Sequence, residues 1–223
     1  SPGTIVPLVQ AGAPMPNDIK KKMTNITDYS FSRDVTHPNQ FVFTAQGQDK
    51  TVGLFWVKNE THVQMIANQN TQIPGDSVGF FTGFNGLSFD AKTNRTAFIG
   101  HGILGQADIF IYANGRIFEV AGQETLIPGG IGHFQSFRNP NLSGDIMVFE
   151  ATGRFNQQGV FLYTTTGNIY KVLTANDRVN GKTVRSVKIS HNAFNYNHIA
   201  ALVTFKDNSS GIFLITFSSK LNL

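Results

Sequence analysis

A short aromatic strand recurs along this chain, and its spacing limits the fold more than any other feature. It reads Gly53-Leu54-Phe55-Trp56-Val57, then Asp108-Ile109-Phe110-Ile111-Tyr112, then Gly159-Val160-Phe161-Leu162-Tyr163, then Gly211-Ile212-Phe213-Leu214-Ile215, at steps of 51 to 55 residues. A period of this length is the signature of propellers, solenoids and arrays. One period holds four strand-like runs. In the third copy they are residues 132–137, 145–151, 160–164 and 168–173, rich in β-branched and aromatic types and bounded by Gly, Asn, Asp or Thr. No stripe with a 3.6-residue period occurs, so a helical solenoid is excluded. A two-sheet sandwich would explain the strands but not the period. The chain is therefore expected to be all-β, a four-bladed β-propeller of four-stranded antiparallel blades.

The two ends extend the argument. The fourth copy has three strands (185–190, 199–204 and 211–217) and then stops, whereas residues 4–9 read as a fourth strand lacking the other three. The last blade is expected to be closed by that N-terminal strand pairing with 211–217. Pro7 suits an outer edge, where a missing N–H is tolerated. The expected boundaries are 4–17 for the closing strand and loop, then blades at 18–75, 76–129, 130–181 and 182–223. Within the second strands, Phe43, Phe98, Phe149 and Leu202 align as inward residues. Four positions earlier stand Asn39, Asn94, Asp145 and His198. Asn, Asp and His are the side chains most often found at positive φ, so these four are expected to share one turn conformation.

Composition narrows the function classes. Hydrophobic residues make up 40% and charged residues 14% of the 223, which excludes a disordered chain. No run approaches the ~20 apolar residues of a membrane helix. The absence of Cys removes disulfides and cysteine-based metal or nucleophile sites. Net charge is +4, and Lys20-Lys21-Lys22 is the one basic run. Nucleic-acid binding would need a basic stripe interleaved with stacking aromatics, and the aromatics here fall at strand spacing.

The repeat also resembles a known group. Exported bacterial tandem-repeat proteins carry Asn-x-x-Gly-x-x-Ala-Phe, then Gly-Ile-Phe/Tyr, then a Val strand, then Gly-Asp-x-x-Pro-Gly. Asn195-x-x-His198-x-x-Ala201-Leu202 is similar to the first block, with His for Gly and Leu for Phe, and Ala97-Phe98 keeps its end. Gly159-Val160-Phe161 and Gly211-Ile212-Phe213 match the second, and Ile73-Pro74-Gly75 and Ile127-Pro128-Gly129 match the last. The resemblance covers residues 4 to 217. It implies a β-propeller and a secreted, periplasmic or cell-surface location with its signal peptide removed. It implies no chemistry.

The six histidines show neither His-x-Glu-x-His nor His-Glu-x-x-His spacing, so no metal site is read, and no cofactor motif or Gly-x-Ser-x-Gly nucleophile is present. His101, Glu150, Arg154 and Asp207 fall in or beside the loops joining second and third strands, which lie on one face of every blade. These four are the expected ligand-binding residues, because recognition usually resides on loops of a rigid scaffold. Trp56, Tyr112 and Tyr163 occupy near-equivalent strand positions and are expected to pack between blades. The expected function is a monomeric, non-enzymatic binding or adhesion module for a protein or carbohydrate ligand. The alternative is a glycoside or other hydrolase with channel-facing carboxylates.

Overall fold

Within the four repeats the β-branched and aromatic runs form strands. The computed structural model describes residues 7–16, 18–32, 36–37, 39–59, 62–76, 79–155, 157–164 and 166–217, and these contain strands but no helix, hence none that could cross a membrane. The first sheet comprises β1 (Pro14–Met15), β2 (Asp18–Phe31), β3 (Phe41–Gly47), β4 (Val52–Asn59) and β5 (His62–Asn68). The second comprises β6 (Phe81–Asp90), β7 (Arg95–Gly102), β8 (Ala107–Ala113) and β9 (Arg116–Ala121). The third comprises β10 (Phe134–Ser143), β11 (Ile146–Gly153), β12 (Gln158–Tyr163) and β13 (Ile169–Thr174). The fourth comprises β14 (Arg178–Val179), β15 (Lys182–Asn195), β16 (His198–Phe205) and β17 (Ser210–Thr216). Every pairing is antiparallel between chain neighbours, which is the up-and-down order of a propeller blade.

The sheets stack in chain order through their first strands, β2 on β6, β6 on β10 and β10 on β15. The packing repeats in detail. Phe98 stacks on Phe110 at 5.6 Å in the second sheet, Phe149 on Phe161 at 6.0 Å in the third, and Phe43 on Phe55 at 5.3 Å in the first. Trp56 reaches across to Phe89 at 5.8 Å, and Gln64 donates to the Tyr112 hydroxyl at 2.6 Å. Tyr163 packs into the core shared by the second and third sheets. These three aromatics therefore join neighbouring sheets.

Burial along the strands records which faces are covered. Second strands β3, β7 and β11 are buried almost continuously, as strands enclosed on both faces must be. β16 instead alternates exposed and buried, and β17 alternates exposed and partly buried, with Ile212 83% and Leu214 69% exposed. No described sheet covers that outer face.

Leu202 corrects the sequence alignment. Cα pairing sets Phe43 opposite Phe55, Phe98 opposite Phe110 and Phe149 opposite Phe161, but Ala201 opposite Phe213. Ala201 is therefore the inward residue, 1% exposed, and Leu202 lies one position on, 45% exposed. A one-residue shift moves a side chain to the other face.

The shared turn is also corrected. Asn94 has φ 55°, but in the third sheet the positive φ is at Gly144 (61°) and in the fourth at Tyr196 (53°), not at Asp145 or His198. The turns differ in length: Asp90 pairs with Arg95 across four residues, whereas Ser143–Ile146 and Asn195–His198 each enclose two. Different loop lengths demand left-handed residues at different places.

At the N-terminus, residues 4–6 of the expected closing strand lie outside the described residues. Residues 7–10 form no strand, and Val9 packs into the core of the first sheet. The described partner of β17 is β16 alone.

One carboxyl pair gives the fold a pH dependence. A Cβ placed on Gly122 would meet Glu119 Oε1 at 2.6 Å and Asp108 Oδ1 at 3.1 Å, so the two carboxyls flank that glycine. Burial raises Asp108, and burial plus the charge of Asp108 raises Glu119, above the usual carboxylate range. The folded protein then binds protons more tightly than the unfolded chain. The pair's own contribution to stability should be greatest below the ordinary carboxylate pKa and should fall as pH rises through the raised values, opposite in sign to that of the depressed Asp49, Asp177 and Asp207. Urea melts from pH 4 to pH 7 are expected to show this decline, and Glu119→Gln is expected to flatten it; an unchanged slope would show that the pair is not strained.

Candidate central binding site

Small polar side chains near the ends of the first strands build the site. Ser32 Oγ accepts from Ala91 N–H at 2.9 Å, Asp90 Oδ2 from Gly144 N–H at 2.8 Å, and Ser143 Oγ from Tyr196 N–H at 2.9 Å. These three acceptors end the first strands of three successive sheets, and each holds the turn of the next. A second tier lies two residues back, where Ser30 Oγ accepts from Phe89 N–H at 3.2 Å and Ser88 Oγ from Leu142 N–H at 2.9 Å. In the third sheet Asn141 Nδ2 donates to the Ser190 carbonyl at 3.2 Å. Ser30, Ser88 and Asn141 are all buried, so the tier is a stitched seam and not a wet surface. Buried side chains of this kind require such partners.

The seam surrounds a cavity of about 700 Å³ that residues of all four sheets line, from Ser32 and Asp90 through Ser143 to Asn195 and Tyr196. Asp90 is held rigid, since its Oδ1 also accepts from Thr93 N–H at 3.0 Å and Thr93 Oγ1 at 3.1 Å. Asp145 bridges to Arg95 at 2.8 Å at the rim, tying the third sheet to the second. Tyr196 is 71% exposed, yet its backbone is left-handed. A bulky residue rarely adopts that conformation, and glycine takes the left-handed place in the third sheet's turn. Ser143 holds the Tyr196 amide, so the ring is presented at the cavity by a strained, fixed backbone.

The four residues expected from the sequence lie at the other ends of the second strands. His101 ends β7 and is half-buried, which lowers its imidazole pKa from the ordinary value. Glu150 is buried within β11, where its Oε1 accepts from Ile189 N–H and from Asn139 Nδ2 at 3.3 Å, so it holds the third sheet to the fourth. Arg154 is exposed in the following turn, and its carbonyl accepts from Gln157 Nε2 at 2.9 Å. Asp207 caps the turn after β16: its Oδ1 accepts from Ser209 N–H at 2.9 Å and Oγ at 2.6 Å, and it pairs with Lys182 at 2.9 Å. The hydrogen bond from Lys182 leads the causes that hold its carboxyl well below the usual range. Asp49 repeats the device in the first sheet, bonded to Thr51 and paired with Lys21. No hydrogen bond or ion pair joins any two of the four among the described residues.

Sequence reasoning passed over the polar ladder and Tyr196. A signal existed: Ser30, Ser88 and Asn141, and likewise Ser32, Asp90 and Ser143, recur with the repeat at the ends of first strands.

No protein-family model matches the chain, and no curated protein matches it. Among solved structures it is similar to TolB from Acinetobacter baumannii (11% identity, TM-score 0.48, 87% of this chain and 44% of that one). It is similar to BP39L lectin from Burkholderia pseudomallei (14%, 0.38, 96% and 56%) and to a mutant of AofleA from Arthrobotrys oligospora (11%, 0.38, 92% and 64%). The chain thus spans less than two thirds of the length of each.

Proposed function

We propose that the chain is a non-enzymatic binding module on a four-bladed propeller scaffold, and that it takes a small polyhydroxylated ligand, a carbohydrate, in the central cavity. Tyr196 carries this reading. An exposed ring held in a costly left-handed backbone beside a polar cavity suits the apolar face of a sugar, while the Ser, Asn and Asp lining suits its hydroxyls. The volume falls within the ordinary range for small-ligand sites. The recognition face moves from the loops of His101, Glu150, Arg154 and Asp207 to the opposite ends of the sheets. Calorimetric titration with a panel of mono- and oligosaccharides tests the reading. Saturable binding that weakens about tenfold or more in Asn195→Ala is expected, and a panel with no binder would sink it.

The divergent membership in the exported tandem-repeat group, with its location outside the cytoplasm, is part of the same proposal. So is ring closure by residues 4–9. Leu202, Ile212 and Leu214 support closure, because the described sheets leave these large apolar residues of β16 and β17 exposed and a closed ring would cover them. Deleting residues 1–10 should then lower the melting temperature and speed hydrogen exchange at the β17 amides that point away from β16. Unchanged exchange there would contradict closure.

A further inference from the structure

We propose that a second site, the groove between the third and fourth sheets, binds the oxyanion of a small molecule, a sulfate or phosphate ester. The groove encloses about 410 Å³ between β10 and β15, and Arg138, Arg185 and Lys188 line it. Arg138 and Lys188 occupy the same place in successive repeats, each following a buried core residue, Phe137 and Val187. The corresponding residues of the first two sheets are Thr27 and Asn85, so the positive charge is confined to this groove.

The cations lack carboxylate partners. Lys21, Arg95, Lys171 and Lys182 each pair with an aspartate, but Arg138, Arg185 and Lys188 form no ion pair among the described residues. Glu150 is the one carboxylate in the lining, and its Oε1 is engaged by Ile189 N–H and Asn139 Nδ2. Three cations against one buried carboxylate leave a net positive, walled groove, which concentrates anions.

The walls are held before any ligand arrives. The Gln158 side chain bonds both the N–H and the carbonyl of Val187, and Asn139 Nδ2 donates to the Ile189 carbonyl at 2.9 Å. Arg185 Nη1 donates to Asn208 Oδ1 at 2.6 Å, which orients the guanidinium while its other N–H groups stay available. Guanidinium forks match the oxygens of sulfate and phosphate in pairs, and an ammonium adds a point charge. The volume exceeds a bare ion, so the carrier is a small molecule. Five residue steps along β10 separate Arg138 from Ser143 at the central cavity, roughly 16 Å of strand, and the two sites are independent.

The test is calorimetric titration of the whole chain with two probes, tripolyphosphate and a sulfated heparin disaccharide, at about 50 mM and about 200 mM salt. At least one probe is expected to bind, to weaken at the higher salt, and to lose about tenfold or more in affinity in the Arg138→Gln/Lys188→Gln double variant. Arg116→Gln, a charge removed elsewhere, is expected to bind as the parent does. The preferred probe names the carrier chemistry. A thermal melt shows that the double variant, altered only at exposed positions, is folded. Neither probe binding at low salt, or undiminished binding by the folded double variant, would overturn the assignment. Tyr196→Gly leaves this binding unchanged, so failure of the sugar reading is separable from failure of this one.

Discussion

Phe149→Ala should lower the unfolding free energy by about 3–5 kcal/mol, whereas Leu202→Ala should lower it by about 1 kcal/mol or less. Phe149 is fully buried between Phe134, Phe137 and Phe161, so truncation loses the transfer energy of a ring and leaves a cavity in a rigid aromatic cluster. Leu202 is 45% exposed, because the pairing register turns it to the outer face of the fourth sheet, which no described sheet covers; its counterparts Thr44, Ile99 and Glu150 are buried. The contrast tests the register and the open outer face of the fourth sheet together. Equal large losses in urea melts would show that another segment covers that face, as the ring closure proposed above requires, and a small Leu202 loss would count against closure.

Tyr196→Gly should separate stability from binding. Glycine accepts the left-handed backbone without the Cβ clash, so the folded state should be unchanged or stabilised by up to about 1 kcal/mol. The Ser143 hydroxyl can still accept from residue 196, since the amide is retained. Sugar binding should nevertheless fall about tenfold or more, because among the described residues Tyr196 is the strongly exposed Phe, Tyr or Trp ring at the cavity. A loss of both stability and binding would mean that Tyr196 is a packing residue. Retained binding would remove it from the site.

The strand pattern was legible because aromatic runs fall at a constant spacing and each sheet repeats the same pairings, Phe98 on Phe110 and Phe149 on Phe161. Leu202 was misplaced because Ala201-Leu202 imitates Ala97-Phe98 in type but not in register. The regular span between second and third strands, as in His101 to Ala107 and Thr204 to Ser210, carries the true alignment. The turns resisted prediction because loop length differs, and length decides which residue goes left-handed. The candidate site was the least legible part. Glu150 and Asp207 drew notice as isolated charges, but one holds β15 through its backbone and the other caps a turn. Ser32, Asp90 and Ser143 are small polar residues that a single strand gives no reason to select. Their role arises only when consecutive first strands stand side by side.

A backbone chemical-shift titration of the isotope-labelled chain, using the tightest sugar of the panel, tests the central claim most directly. Shifts should cluster at Ser88, Asp90, Ser143, Asn195 and Tyr196, at the cavity end of the four sheets. Shifts confined to His101, Arg154 and Asp207, at the opposite ends of the second strands, would contradict the account and return recognition to the other face.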